Sequence, residues 1–410
     1  MNIRLLQPNT SAQISGYLKS LSKELVSSDF PLEKIDVRKL EGIQSDIPVF
    51  KDVSMPEIKF LTKNFSVLNI AQGCTNGCSH CLRNAQIPKQ NASILWEDLT
   101  AFTDGFKKLN ERLDFDVFKG NKWIALHDDA NPPEITLKDN NGNRYNFFDV
   151  IENVFENLNL PIETVTSGWN PKDYRAQNAI KKIVNYFQTV PQANNLISVS
   201  FNPFHKLMEQ SREQLKLGHP EHAHLYREFY IQRMAHSIKE LLPLFKEGKA
   251  TIIYRHAGKN APDEVGAKET FNLYKTMYRN LKKLVRKEEL QNIEILHPDN
   301  FATEKPQHLI EAKGRGRRFF SKEENLTKQQ ELIAEKTHWE SISPAEKVDL
   351  AYKYTLKEVD ISGKVFATTH TENFIPTEVN LNFNRSIPAP HKFSDVKLSE
   401  LKKEDIIQSI

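Results

Sequence analysis

Cysteine is scarce, with three in 410 residues, a small odd number that excludes a disulfide-built scaffold. Long apolar runs are missing too, and no stretch approaches the roughly 20 residues that a bilayer-spanning helix needs. Met1–Gln7 lacks the basic start and apolar core of a secretory signal. A cytoplasmic protein with reduced thiols and no membrane partner is therefore expected. Charge of one sign is not in excess, and a net charge of +3 leaves a nucleic-acid partner without an electrostatic footprint. Internal repeats and low-complexity tracts are absent. What is present, 39% hydrophobic and 27% charged residues, suffices for a substantial core.

From residue 65 onward, short β-branched or apolar runs alternate with helical patterns, the signature of βαβ units around a parallel sheet. The predicted strands are Val67–Ala71, Trp123–Leu126, Glu163–Thr166, Leu196–Phe201, Thr251–Tyr254 and Ile293–Leu296. Helices are predicted around Leu95–Leu109, Phe147–Leu158, Pro171–Phe187, Leu225–Phe245, Glu264–Lys287 and Pro306–Ala312. Six such units give an α/β fold of the partial (β/α)6 TIM-type barrel, although an open doubly wound sheet would produce much the same string. Lys138–Arg144 reads as the turn of a small hairpin, and His205–Tyr226 as an insertion in the loop after the fourth strand. The basic run Arg279–Lys287 falls on a helix whose other face carries Leu281, Leu284 and Val285, so its charges form a solvated face.

Three regions are expected: an N-terminal extension (1–60) with a helix over Ser11–Leu25, the barrel (61–320), and a small cysteine-free C-terminal α+β module (321–410). In the last region Ser321–Trp339 reads as a charged helix. Leu356–Thr369 and Glu378–Phe383 alternate around a turn at Ile361–Lys364, and Ser394–Ile410 reads as a terminal helix.

All three cysteines stand together as Cys74-Thr-Asn-Gly-Cys78-Ser-His-Cys81, directly after the apolar run Phe65–Ala71. Three thiolates at that spacing suit an iron–sulfur cluster whose fourth iron is left open to a small molecule. Gly73 and Gly77 let the loop close around a cluster with its N–H groups turned toward sulfur. Zinc is the alternative, with His80 as fourth ligand, but a ligand adjacent to Cys81 makes tetrahedral binding awkward.

The Cys74-x3-Cys78-x2-Cys81 motif at the end of a first strand closely resembles the radical S-adenosylmethionine (radical SAM) superfamily. The resemblance implies a [4Fe–4S] cluster on Cys74, Cys78 and Cys81, with the amino and carboxylate groups of S-adenosylmethionine on the fourth iron. It also implies reductive cleavage of that cofactor to a 5′-deoxyadenosyl radical, which takes a hydrogen atom from the substrate. Where the family carries a Gly-Gly-Glu-like segment, this chain has His127-Asp-Asp-Ala-Asn-Pro-Pro133, and Asp128 or Asp129 would supply the carboxylate for the cofactor's ammonium group. Thr166-Ser-Gly168 is similar to a Thr-Asn-Gly segment of peptide-modifying and cofactor-building members, and the resemblance implies that Ser167 is a cofactor-side residue. Ser198, Ser200 and Asn202 share one strand face, and Ser200 and Asn202, nearer the cofactor end, are expected at the ribose hydroxyls. Ser198 serves equally well in hydrogen bonds of the barrel floor. Arg255 and Arg315, the latter in Lys313-Gly-Arg-Gly-Arg317, would meet the methionine carboxylate or the substrate. His127, Trp169 and Tyr254 lie at or near strand ends, within expected reach of substrate.

Val359–Phe366 looks like the hairpin of the SPASM or twitch extension found in that subgroup, but no cysteine remains there for auxiliary clusters. The expected function is thus a radical SAM enzyme acting on a peptide or peptide-derived substrate and fed by an external one-electron reductant of flavodoxin or ferredoxin type. A small-molecule substrate (nucleoside, sugar or amino acid) is the alternative, and a non-catalytic iron–sulfur or zinc protein that binds nucleic acid or a protein partner is the other. No catalytic residue is assigned. The histidines of Gly218–His224 read as a polar surface and not as a metal site.

Overall fold

Alternating strand and helix patterns give a layered α/β structure. The computed structural model describes residues 47–51, 53, 61–62, 65–74, 76, 78, 92–114, 116–118, 123–126, 130–190, 195–254, 264–291, 293–298, 322–323, 326–327, 330, 356–359, 363–368, 374–381, 383 and 387–388. In chain order these form β1 (Phe65–Leu68), β2 (Ala71–Gln72), β3 (Ala92–Ser93), α1 (Trp96–Leu113), β4 (Ile124–Ala125), β5 (Thr136–Lys138), β6 (Arg144–Asn146) and α2 (Phe147–Leu158). Next come β7 (Ile162–Thr166), α3 (Tyr174–Thr189), β8 (Leu196–Phe201), α4 (Lys206–Lys216), α5 (Pro220–Lys246), β9 (Ala250–Tyr254), α6 (Glu264–Leu284) and α7 (Lys287–Gln291). The C-terminal strands are β10 (Leu356–Val359), β11 (Lys364–Thr368), β12 (Phe374–Asn380) and β13 (Ile387–Pro388).

The main sheet has the order β12-β11-β10-β1-β4-β7-β8-β9. Strands β1, β4, β7, β8 and β9 run parallel to their neighbours. The hairpin predicted around Ile361–Lys364 is present as β10–β11, and β12 extends it antiparallel. Its first strand lies parallel beside β1, with Phe65 opposite Lys357 and Leu68 opposite Val359. Strands β10, β11 and β12 therefore continue the main sheet.

Helices cover one face of this sheet. On α1, Leu99, Phe102, Phe106 and Leu109 are buried at the three- and four-residue spacing of a single stripe. Phe102 reaches Phe65 of β1, ring centroids 5.7 Å apart. Phe201 of β8 likewise packs on Tyr230 of α5 and Tyr274 of α6, at 5.9 and 5.3 Å. Since side chains alternate along a strand, Ser198 and Ser200 turn to the opposite face. Helix α2 opens with a reciprocal cap: the Phe148 N–H donates to Asn146 Oδ1 at 2.8 Å, and the Asn146 N–H to Asp149 Oδ2 at 2.6 Å. The hairpin expected at Lys138–Arg144 is the pair β5–β6. Leu281 is fully buried and Leu284 and Val285 partly so, as the basic helix pattern requires.

Three expectations need correction. Ile293–Leu296 is not a sixth strand but lies at a 3-10 turn over Glu294–Leu296. Ile293 and Leu296 are buried while Ile295 is 40% exposed, the three-residue spacing of a helical turn and not the alternation of a strand. His205–Tyr226 is not a loop insertion: it holds α4 and the first turns of α5, which begins at Pro220. Trp169 is buried in the core at 1% exposure, so its ring does not line an open site. The helices expected at Ser11–Leu25, Pro306–Ala312 and Ser394–Ile410 lie outside the described residues, as does most of Ser321–Trp339. Among the described residues no helix is long and apolar enough to cross a membrane.

Candidate functional site

The cysteine loop leaves the carboxyl end of β1 and is closed at its base by a short antiparallel ladder. Ala71 pairs with Ser93 and Gln72 with Ala92, and β13 adds a third strand to this small sheet. The Ile94 N–H donates to the Ile70 carbonyl at 3.0 Å and extends the closure by one residue. Within the loop Gly73 has φ 106, a turn reserved for glycine immediately before Cys74. Cys74 and Cys78 are both half-buried, and neither is joined in a disulfide.

Asn76, between those cysteines, docks the loop. It is 4% exposed, and its Oδ1 accepts from Arg233 Nη2 at 2.7 Å. His205 Nε2 lies 3.2 Å from the same oxygen. His205 Nδ1 accepts from the Leu207 N–H at 3.1 Å, so the proton is on Nε2 and that nitrogen donates to Asn76. The Asn76 carbonyl in turn accepts the Lys206 N–H at 2.9 Å, at the first turn of α4. The positive end of the α4 dipole thus meets the loop.

Arg233, on α5, ties this loop to the end of β7. Its Nη2 also donates to the Gly168 carbonyl at 2.6 Å and lies 3.4 Å from Glu134 Oε1. Asn131 Nδ2 donates to the same carbonyl at 2.9 Å, and Thr166 Oγ1 donates to Asn131 Oδ1 at 2.9 Å. Gly168 has φ +74, and a Cβ there would stand 2.9 Å from Ser237 Oγ and 3.3 Å from Arg233 Cγ. The glycine of Thr166-Ser-Gly168 is thus required by both its backbone and its neighbours.

The carboxyl end of β8 supplies the direct contact to sulfur. Asn202 Nδ2 donates to Cys78 Sγ at 3.1 Å. The amide is held in that orientation because its Oδ1 accepts the Phe204 N–H at 2.8 Å. The Asn202 backbone N–H donates to Tyr230 Oη at 2.7 Å. Burial pushes the Tyr230 phenol far above its ordinary pKa; the Asn202 N–H opposes that shift, and the Cys78 sulfur adds to it. Tyr230 stays neutral, an acceptor for Asn202 with its own proton retained.

No protein-family model, curated protein or solved structure matches the chain. What the site can do is therefore read from its own residues.

The Asn202 amide meets a cysteine sulfur directly, whereas the Arg233 guanidinium and the α4 N-terminus reach the loop through Asn76. An N–H donor on a cysteine sulfur suits a thiolate that ligates iron. On this donor set the residues present fit a cluster. Among the described residues no three His, Cys, Asp or Glu side chains form a metal-binding group, and Cys81 lies outside them.

Of the expected cofactor-side residues, Ser167, Ser200 and Asn202 are placed at the carboxyl ends of β7 and β8, all buried. Ser198 is buried lower on β8, at 1% exposure. Asp128, Asp129, Arg255, Arg315 and His127 lie outside the described residues, and of Tyr254 only the backbone is described. Sequence reasoning missed Asn76, His205, Tyr230 and Arg233. Asn76 stands inside the motif and was within reach as its one amide side chain. Tyr230 and Arg233 gave no signal, since each reads as an ordinary residue of a long amphipathic helix.

Proposed function

We propose that the chain is a radical SAM enzyme, with a [4Fe–4S] cluster on Cys74, Cys78 and Cys81 and S-adenosylmethionine at the open iron. The observation that carries this reading is the seat of the cysteine loop. It stands at the carboxyl end of β1 and is met at Cys78 by Asn202 from the carboxyl end of β8. That edge of a parallel sheet is where α/β folds carry their sites. The unbroken strand order β1-β4-β7-β8-β9 further supports taking the sheet as the wall of a partial barrel.

When bound, the pair of cofactors supplies one-electron reductive cleavage of S-adenosylmethionine and a 5′-deoxyadenosyl radical for hydrogen abstraction. The chain's own residues divide the remaining work. Arg233 and His205 fix the loop through Asn76, and Asn202 addresses sulfur. Ser167 and Ser200 border the cofactor at the ends of β7 and β8. Asp128 or Asp129 would take its ammonium group, and Arg255 or Arg315 its carboxylate. A peptide or peptide-derived substrate is the substrate class we favour, from the Thr166-Ser-Gly168 segment and the β10–β11 hairpin. A flavodoxin- or ferredoxin-type reductant would deliver the electron, in the cytoplasm.

The test is anaerobic reconstitution with iron and sulfide, followed by dithionite and S-adenosylmethionine. About four irons per chain and release of 5′-deoxyadenosine are expected, both lost in Cys78→Ala. One tightly held zinc per chain, or a full cluster with no cofactor cleavage, overturns the reading.

A further inference from the structure

Asn202 stands where a ribose contact was expected, yet its side chain is committed inside the protein. Oδ1 takes the Phe204 N–H at 2.8 Å, which leaves Nδ2 as the end that faces Cys78 Sγ at 3.1 Å. The backbone of the same residue is pinned to the fully buried Tyr230. Asn202 is itself 1% exposed. A buried amide whose oxygen is held by the Phe204 N–H cannot swing away from the sulfur without leaving polar groups unpaired.

We propose that Asn202 is a positioning residue whose amide hydrogen bond to Cys78 raises the reduction potential of the cluster; the inference rests on the proposed function. Reduction by one electron from the external reductant adds negative charge to a group that three thiolates have already made negative. A fixed N–H dipole aimed at one of those sulfurs stabilises the reduced state more than the oxidised one. The potential is therefore higher with the bond than without it. Asn202 thus eases entry of the electron. The bond also orders the Cys78 side chain from a strand well removed from the cysteine loop in sequence.

Three proteins decide it: wild type, Asn202→Ala and Asn202→Asp. All are reconstituted to the same iron content and titrated with dithionite under EPR observation. The midpoint potential is expected to fall in Asn202→Ala, which lacks the donor. It falls further in Asn202→Asp, whose nearly isosteric carboxylate replaces the donor with negative charge. A second reading compares wild type with Asn202→Ala: ENDOR of the reduced cluster before and after exchange into D2O should reveal a proton coupled to the cluster that the variant lacks. Equal midpoints in all three proteins, or no difference in exchangeable couplings, overturn the inference and leave the proposed function standing. A wild type that assembles no cluster removes both.

Discussion

Arg233 Nη2 lies 2.7 Å from Asn76 Oδ1, and the two residues are separated by 157 positions in sequence. This bond joins the cysteine loop to α5. The same nitrogen holds the Gly168 carbonyl, so one guanidinium fixes the ends of two strands. Replacement by methionine removes a charged donor from each of two buried acceptors, which keep His205 Nε2 and Asn131 Nδ2. Arg233→Met is expected to lower stability by about 2–4 kcal/mol in urea unfolding and, for the proposed cluster, to reduce the iron retained by reconstituted protein after gel filtration. Arg233→Lys keeps the charge but not the planar fork and should fall between. Wild-type iron retention in Arg233→Met would show that the loop does not depend on this bond.

Gly168 and Gly248 offer a matched pair. Both have positive φ, +74 and +70, but a Cβ at Gly248 meets nothing within 4 Å, whereas at Gly168 it meets Ser237, Met234 and Arg233. Gly248→Ala should cost only the backbone strain, roughly 1–2 kcal/mol. Gly168→Ala adds overpacking, for a total of about 3–4 kcal/mol. Thermal unfolding of the two variants side by side checks the difference. Equal losses would mean that the crowding at Gly168 is relieved by small shifts.

Glu163 lies on β7, and burial raises its pKa above the ordinary 4.5. The folded state then favours the protonated carboxyl, while the unfolded chain ionises it near its usual value. Burial of the charge therefore opposes folding at neutral pH. The penalty fades as pH falls through the folded pKa and is gone below about 4.5, where both states are protonated. Glu163→Gln should accordingly stabilise the protein at pH 7 and have little effect at pH 4. Urea unfolding across that range reads the trend, and a gain that does not change with pH contradicts it.

Asn146 caps α2 through a reciprocal pair with Asp149. Asn146→Ala removes the acceptor for the Phe148 N–H and is expected to cost about 1 kcal/mol. Asn146→Ser, which keeps a capping oxygen, should restore most of that loss. A serine variant no better than alanine would place the cost elsewhere in the β6–α2 junction.

Legibility of the sequence followed the range of the interactions. The hairpin at Lys138–Arg144 depends on neighbours a few positions away and was readable. So were Glu163–Thr166, observed as Ile162–Thr166, and Leu196–Phe201, where local pattern and final burial agree. Ile293–Leu296 failed because four apolar-rich residues suit a strand or a tight turn, and only the exposure of Ile295 separates them. Leu207, Met208 and Ser211 form the buried stripe of α4, but charged and histidine-rich flanks disguised it as a loop. At the site the cysteine spacing announced itself, whereas the fastening of the loop did not. Asn76, Asn202 and Arg233 meet only once β1, β8 and α5 are assembled, and no local pattern encodes that meeting.

The pairing of β10 with β1 ties the cysteine loop to the last quarter of the chain. Until Leu356–Val359 has emerged and docked, the strand that carries the loop has an open edge, with backbone groups such as the Asn69 N–H, which donates to the Val359 carbonyl at 2.8 Å, awaiting a partner. Slow, long-range closure of this kind leaves the thiols on an unfinished sheet during synthesis. For the proposed cluster, that order of assembly favours a sheet completed first and iron loaded afterwards.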